Sequence, residues 1–153
     1  MIAHAWADPS GDLVAPPPDP DVVRYVAKCG DDVIGLVTLL RPSASPSPFR
    51  GCWLFGLMVR MRYRGRGVGE ALTARVLAQA EAEGAEELLL CVFEDNRPAV
   101  NLYRKLGFER VTLPELAEWM ATHEQADGRR MIAMAKPLVG GREPRAADTA
   151  ASE

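Results

Sequence analysis

Two runs rich in β-branched residues begin the regularly patterned part of the chain. They read VVRYVAK and VIGLVTLL, and Gly30, Asp31 and Asp32 lie between them. β-branched residues are enriched in strands, whereas glycine and aspartate are enriched in turns. The pattern therefore predicts an antiparallel hairpin.

The next apolar run is CWLFGLMV, Cys52–Val59, which follows a loop predicted from proline and serine at positions 42–48. Because consecutive positions are apolar, both faces of this strand are predicted to be buried, which is typical of a central strand. Gly56 in its middle predicts a bulge or a close approach of a ligand to the backbone.

A helix and a further strand are predicted next. From Val68 to Ala82 apolar residues recur at intervals close to four, which indicates an amphipathic helix that ends at Gly84. The run ELLLCVF, Glu87–Phe93, predicts a second buried strand. Strand, helix and strand then make a βαβ unit whose two strands are parallel.

The remaining elements are predicted from capping residues and shorter patterns. Asn96 is a suitable N-cap, Pro98 suits an early helical position, and Gly107 ends this second helix. Beyond it we expect a strand at Phe108–Leu113, a short helix in ELAEWMATHE after Pro114, and a final strand at Arg130–Lys136.

These elements predict an α/β (α+β) fold. Its sheet is mixed and twisted, largely antiparallel, with a central parallel βαβ unit and flanking helices. We expect one domain at residues 21–138, preceded by a proline-rich arm at residues 1–20 and followed by a polar, disordered tail at residues 139–153.

Composition excludes several classes of protein. A net charge of −3 and a pI near 5.5 argue against a nucleic-acid-binding protein. No apolar run approaches the roughly 20 residues of a membrane span, and no secretory signal pattern is present. Cys29, Cys52 and Cys91 lack metal-ligand spacing, so we expect reduced core thiols, no metal site and a cytoplasmic location.

The turn between the central strand and the first helix carries the clearest chemical signal. It reads RGRGVG, and Arg62, Arg64 and Arg66 place three cations within five residues. Glycine leaves backbone N–H groups uncovered, and the N-terminal end of a helix attracts anions. The turn therefore predicts a phosphate or pyrophosphate site, although a glycine-rich turn alone also suits an ordinary strand-to-helix connection.

Together with a second motif, NRPAVNLYRKLGF, the chain resembles the GNAT superfamily of acetyl-CoA-dependent N-acetyltransferases over about residues 22–137. The first motif matches the Arg/Gln-x-x-Gly-x-Gly/Ala signature at Arg64, Gly67 and Gly69. The second matches an Asn-x-x-Ala-x-x-Leu-Tyr-x-Lys-x-Gly-Phe pattern at Asn96, Ala99, Leu102, Tyr103, Lys105, Gly107 and Phe108. The resemblance implies an acyl-CoA N-acyltransferase-like fold.

The resemblance also implies acetyl-CoA as co-substrate, without a metal. The backbone of Leu57–Val59 is expected to bind the pantetheine arm as a further strand would, and the loop Arg64–Gly69 to bind the pyrophosphate. The expected cofactor-binding residues are Leu57, Met58, Val59, Arg64, Gly65, Arg66, Gly67, Val68, Gly69, Asn96 and Tyr103.

The implied reaction is direct attack of a primary amine on the thioester in a ternary complex. Tyr103 is expected to protonate the departing thiolate, and a core tyrosine is the alternative interpretation. The family's glutamate on the strand before the turn has no equivalent here, since Cys52–Val59 contains no carboxylate. Glu94 is the candidate base, with Asp95 or a water chain as alternatives.

The acceptor is expected to be an amine-bearing small molecule or a peptide. In place of the strand and one or two helices with which the family usually opens, about twenty proline-rich residues precede the hairpin. The acceptor pocket would then be formed by a partner subunit, as in a homodimer, or by the segment 114–127 with Trp119. A truncated chain is the other alternative.

The competing function is a regulatory module that binds acyl-CoA with little turnover. A nucleotide site is a weaker third hypothesis, because Gly69 is followed by Glu70 and Ala71 instead of the P-loop's lysine and Ser/Thr.

Overall fold

A computed structural model describes residues 21–42 and 49–138, which form a six-stranded sheet with helices on both faces. The strands are β1 Val22–Cys29, β2 Asp32–Leu40, β3 Cys52–Val59, β4 Glu87–Phe93, β5 Glu109–Val111 and β6 Met131–Pro137. The helices are α1 Val68–Ala82, α2 Arg97–Lys105 and α3 Ala117–Asp127, with 3₁₀ turns at Met61–Tyr63 and Pro114–Leu116. The predicted arm at 1–20, positions 43–48 of the loop and the tail at 139–153 lie outside the described residues.

The strand order is β1-β2-β3-β4-β6-β5, and every neighbouring pair is antiparallel except β3 and β4. This confirms the predicted fold class, with its hairpin, central strand and parallel βαβ unit. The parallel pairing is short, because it includes only Cys52 with Leu88 and Trp53 with Leu89. Beyond Trp53 the two strands are no longer paired, so the sheet is open at its centre.

A bulge in β3 changes the direction of its side chains beside this opening. Between two successive cross-strand pairs, β3 contains one residue more than β2. Gly56 lies at this position with a φ of +61°, a left-handed conformation that favours glycine. As a result Leu54 and Leu57, three residues apart, both pack in the core on the α1 side. The bulge predicted at Gly56 is therefore confirmed.

The sheet carries a hydrophobic core on each face. The larger core, on the side of α1 and α2, includes Val76, Ala80, Leu90, Val100 and Tyr103. The smaller core includes Trp53, Leu89, Leu116 and Ala133, with Met120 of α3 packed against it. Gly35 allows α1 to lie close to β2, because a Cβ at this position would come within 3.1 Å of a Leu72 methyl carbon. This close packing brings the N-terminus of α1 to the open centre of the sheet.

Two predictions are corrected. Cys29 is exposed, not part of the core, because it ends β1 where the hairpin turns away from the packed faces; Cys52 is buried and Cys91 partly buried, and all three thiols are free. The strand predicted at Phe108–Leu113 spans only Glu109–Val111, since its pairing with β6 covers only those three residues.

Candidate cofactor site

A cavity of about 550 Å³ lies where β3 leaves β4, between the N-terminus of α1 and helix α2. This volume is in the range of pockets that bind small molecules and cofactors. Every residue predicted to bind the cofactor lines the cavity, except Arg66 and Tyr103. Five further residues line the cavity that the sequence did not assign to cofactor binding, although Ala99 and Leu102 belong to the second motif: Tyr63, Glu70, Pro98, Ala99 and Leu102.

The glycine turn leaves a row of backbone donors at this cavity. Within the described residues, the N–H groups from Gly65 to Glu70 have no protein acceptor, and the first helical bond runs from Ala71 N–H to the Gly67 carbonyl at 3.0 Å. Gly65 and Gly67 have φ values of +76° and +83°, which other residues rarely adopt. Consecutive unpaired N–H groups at a helix N-terminus form an anion-binding site.

Arg64 is fixed to the strand that precedes the turn. Its Nε donates a hydrogen bond to the Val59 carbonyl at 3.0 Å. In the described part of the chain its two terminal nitrogens have no protein acceptor. The guanidinium is therefore held at the cavity with donors available for an anion.

The side chain of Arg66 takes a different direction from that of Arg64. Its guanidinium is 5.8 Å from the centre of the Tyr63 ring, and the residue lines a second cavity on the other side of α1. Gly65 separates the two arginines, and its positive φ turns the chain between them. Tyr63 itself lines the first cavity, and the Arg66 backbone N–H belongs to the row of donors there. Cofactor binding by Arg66 therefore stays a prediction.

Asn96 begins α2 at the opposite wall. Its Oδ1 accepts a hydrogen bond from the Ala99 N–H at 3.4 Å, and Pro98 lies in the first turn of the helix, as the sequence predicted. No described residue accepts a hydrogen bond from the Asn96 side-chain NH₂ group. Asn96 therefore lines the cavity with an available amide donor.

Tyr103 lies behind this wall, one helical turn from Ala99. Only 5% of the residue is exposed, and its ring packs edge-on against Phe108 with centroids 5.6 Å apart. The hydroxyl makes no hydrogen bond to a described residue, and burial raises the pKa of Tyr103 to about 12. Tyr103 is therefore protonated near neutral pH.

The two carboxylates after β4 are held in ion pairs outside the cavity. Glu94 accepts a hydrogen bond from Arg110 Nη1 at 3.0 Å. Arg129 Nε and Nη2 donate hydrogen bonds to the Asp95 carboxylate oxygens at 2.6 to 3.0 Å. This guanidinium lowers the pKa of the Asp95 carboxyl. Neither carboxylate lines the cavity.

The segment 114–127 covers the opposite face of the sheet. Trp119 of α3 packs edge-on against Phe49, with the two ring centres 5.0 Å apart. The Trp119 ring centre is also 4.0 Å from that of His123. His123 Nδ1 lies 2.9 Å from the Trp119 carbonyl oxygen. These residues are therefore separated from the cavity by the sheet.

Residues 21–42 and 49–138 lack two further features. In these ranges no helix is both long and apolar enough to cross a bilayer. The same residues contain no group of three or more His, Cys, Asp or Glu side chains placed to hold a metal ion.

Comparison with known proteins identifies relatives of the chain. The N-alpha-acetyltransferase of Sulfurisphaera tokodaii is 41% identical over 83 residues, which are 54% of this chain and 46% of that protein. N-acetyltransferase family 8 member 2 of Rattus norvegicus is 28% identical over 116 residues, which are 76% of this chain and 44% of that protein. The chain thus spans less than half the length of these curated relatives.

The fold has solved counterparts as well. Nourseothricin acetyltransferase superimposes with a TM-score of 0.61 at 26% identity, covering 80% of this chain and 68% of that one. Residues 3–108 match the acetyltransferase (GNAT) family, a stretch that includes both sequence motifs and more than half of the chain. The chain therefore belongs to the acetyltransferase (GNAT) family.

Proposed function

We propose that the protein transfers an acetyl group from acetyl-CoA to a primary amine. The observation that carries the proposal is the row of unpaired N–H groups from Gly65 to Glu70, next to Arg64 and at the end of a cavity along β3. A pyrophosphate matches this donor set in charge and in its number of acceptor oxygens.

The open centre of the sheet supports placement of the pantetheine arm. Beyond Trp53, β3 has no partner on β4, so the backbone of Leu57–Val59 faces the cavity and, apart from the Val59 carbonyl that accepts from Arg64 Nε, is available to amide groups of a ligand. Such a ligand would pair with β3 as an added strand. Its thioester end would then lie near Asn96, and its pyrophosphate at the N-terminus of α1.

The proposed chemistry is a direct transfer. Acetyl-CoA supplies an activated thioester; the neutral amine attacks its carbonyl carbon, a C–N bond forms, the C–S bond breaks, and the thiolate leaves. No cysteine or serine is among the described residues that line the cavity, which argues against a covalent acetyl-enzyme. Tyr103, protonated because burial raises its pKa to about 12, is the proposed proton donor to the thiolate.

The amine must lose a proton before or during attack. Glu94 remains the candidate base, and a water chain is the alternative, because the Glu94 carboxylate is engaged by Arg110 at 3.0 Å. The variant Glu94→Gln distinguishes Glu94 from a water chain as the group that accepts the proton. We expect a loss of about a hundredfold in turnover if Glu94 accepts the proton, and an unchanged rate if water does.

The test of the function is release of free thiol from acetyl-CoA in the presence of an amine panel. The panel contains small aliphatic amines, peptides with a free N-terminus and peptides with an internal lysine. Thermal shifts with CoA and with ATP measure binding separately. Turnover on any amine supports the enzyme. A CoA shift with no turnover would favour the acyl-CoA-binding regulatory module, and a larger shift with ATP than with CoA would overturn both.

A further inference from the structure

A second cavity, of about 570 Å³, lies on the other side of α1, between that helix and β1. Its floor is apolar and includes Ile34 and Leu72, both buried. Ala27 and Ala71 also line it, and their short side chains leave space between the strand and the helix. The volume is sufficient for a small organic molecule.

The charges around this second cavity have one sign. Lys28, Arg66 and Arg75 line it, and no carboxylate does among the described residues. None of these three cations forms an ion pair within residues 21–42 and 49–138. Arg75 lies over the face of Tyr25, 5.4 Å from the ring centre, which gives the rim a flat surface of ring and guanidinium.

We propose that the second cavity binds a small organic anion with an aromatic or otherwise apolar body, a ligand distinct from the acetyl donor. The buried floor would remove the apolar body from water, and the three cations would pair with its carboxylate, sulfonate or phosphate. An aromatic body would also stack on the surface formed by Tyr25 and Arg75.

The two cavities share Gly67 and Val68, so ligands in them lie on either side of the same helix N-terminus. Two anions bound on either side of this helix N-terminus repel each other and compete for the same helix dipole. Each is therefore expected to weaken the other by the same factor, about fivefold, since coupling between binding sites is reciprocal. The coupling rests on the proposed function, whereas the binding of an organic anion does not.

The probe for the test is 8-anilinonaphthalene-1-sulfonate, whose fluorescence rises in an apolar site. N-phenyl-1-naphthylamine, the same body without the sulfonate, is the neutral control and is expected to bind about tenfold more weakly. The double variant Lys28→Gln/Arg75→Gln should weaken sulfonate binding about tenfold. Arg104→Gln, an exposed arginine of α2 that lines neither cavity, should leave it unchanged.

A second variant tests the space itself. Ala71→Trp should fill the cavity and abolish binding of both probes, with melting measured by circular dichroism to show that the fold is kept. Titrations at several CoA concentrations separate coupling from competition, because coupling reaches a plateau whereas competition does not. Probe binding that is unaffected by both variants, or that CoA displaces without a plateau, would overturn the proposal. Failure of CoA to bind would contradict only the proposed function, because the probe titration tests anion binding in the second cavity without CoA.

Discussion

Glu70 and Lys105 form an ion pair beside the cofactor cavity, with Lys105 Nζ 2.9 Å from Glu70 Oε2. The pair joins the first turn of α1 to the last residue of α2. Glu70 lines the cavity at the helix end that is to hold an anion, so its charge alone would repel a phosphate. Lys105 neutralises that charge. Because the Lys105 side chain is 66% exposed, the pair contributes little to stability.

Lys105→Met should therefore weaken CoA binding about three- to tenfold, with almost no change in melting temperature. The double variant Glu70→Gln/Lys105→Met removes both charges and should restore most of the affinity. Calorimetry at low ionic strength measures these effects, and Arg104→Met is the control for loss of a neighbouring cation. Equal losses in the single and the double variant would contradict this role.

Tyr103→Phe should reduce kcat about a hundredfold or more and leave the dissociation constant of CoA within about twofold. The phenylalanine ring keeps the contact with Phe108, and the lost hydroxyl makes no hydrogen bond to a described residue. The measurements are steady-state thiol release and CoA titration on the same preparation. Unchanged turnover would show that Tyr103 is only a core residue.

The same tyrosine predicts a loss of stability in alkali. Burial raises the folded-state pKa of Tyr103 from its ordinary value of 10.0 to about 12. Between these two pH values the unfolded chain releases the phenol proton while the folded chain keeps it. The stabilising contribution is therefore complete below pH 10 and is lost as the pH rises towards 12, with a slope of about 1.4 kcal/mol per pH unit.

Denaturant unfolding of the wild type and Tyr103→Phe from pH 9 to pH 12 measures this contribution. The pKa of the Cys91 thiol is also raised to about 12 by burial, so both proteins should lose stability in this range. The wild type should lose more, and the difference should begin near pH 10. Parallel curves for the two proteins would mean that the Tyr103 phenol does not titrate with folding.

Gly69→Ala tests the cavity without straining the backbone. A Cβ at Gly69 would lie 3.5 Å from a Leu102 methyl and 3.7 Å from a Val59 methyl, which are ordinary contacts. Alanine also has a higher helix propensity than glycine, so stability should hold or rise. The added methyl lies between α1 and α2 and should reduce the thermal shift with CoA by more than half.

Gly67→Ala is the matched comparison. Gly67 has a φ of +83° and nothing within 4 Å of an added Cβ, so the methyl group meets no neighbour but strains the backbone. We expect a loss of about 1 kcal/mol of stability, measured by denaturant unfolding. A Gly69→Ala protein that keeps full CoA binding would argue against a cofactor between the two helices.

Patterns local in sequence predicted most of the fold. The helix expected at Val68–Ala82 and the strands at Cys52–Val59 and Glu87–Phe93 have the same bounds in the structure. Hydrophobic periodicity and glycine positions depend on neighbours a few residues away, so they can be read from a single chain. The strand after Gly107 was overestimated, because its length depends on how far β6 continues beside it.

The sequence by itself determined the elements, the parallel unit and the glycine turn with its unpaired N–H groups. Only the tertiary structure decided how short the β3–β4 pairing is, on which side of α1 each arginine lies, and that Arg110 engages Glu94. It also decided that Lys105, 35 positions from Glu70, neutralises that carboxylate. These relationships join residues distant in the chain, and their geometry follows from the packing of whole helices and strands, which local periodicity does not encode.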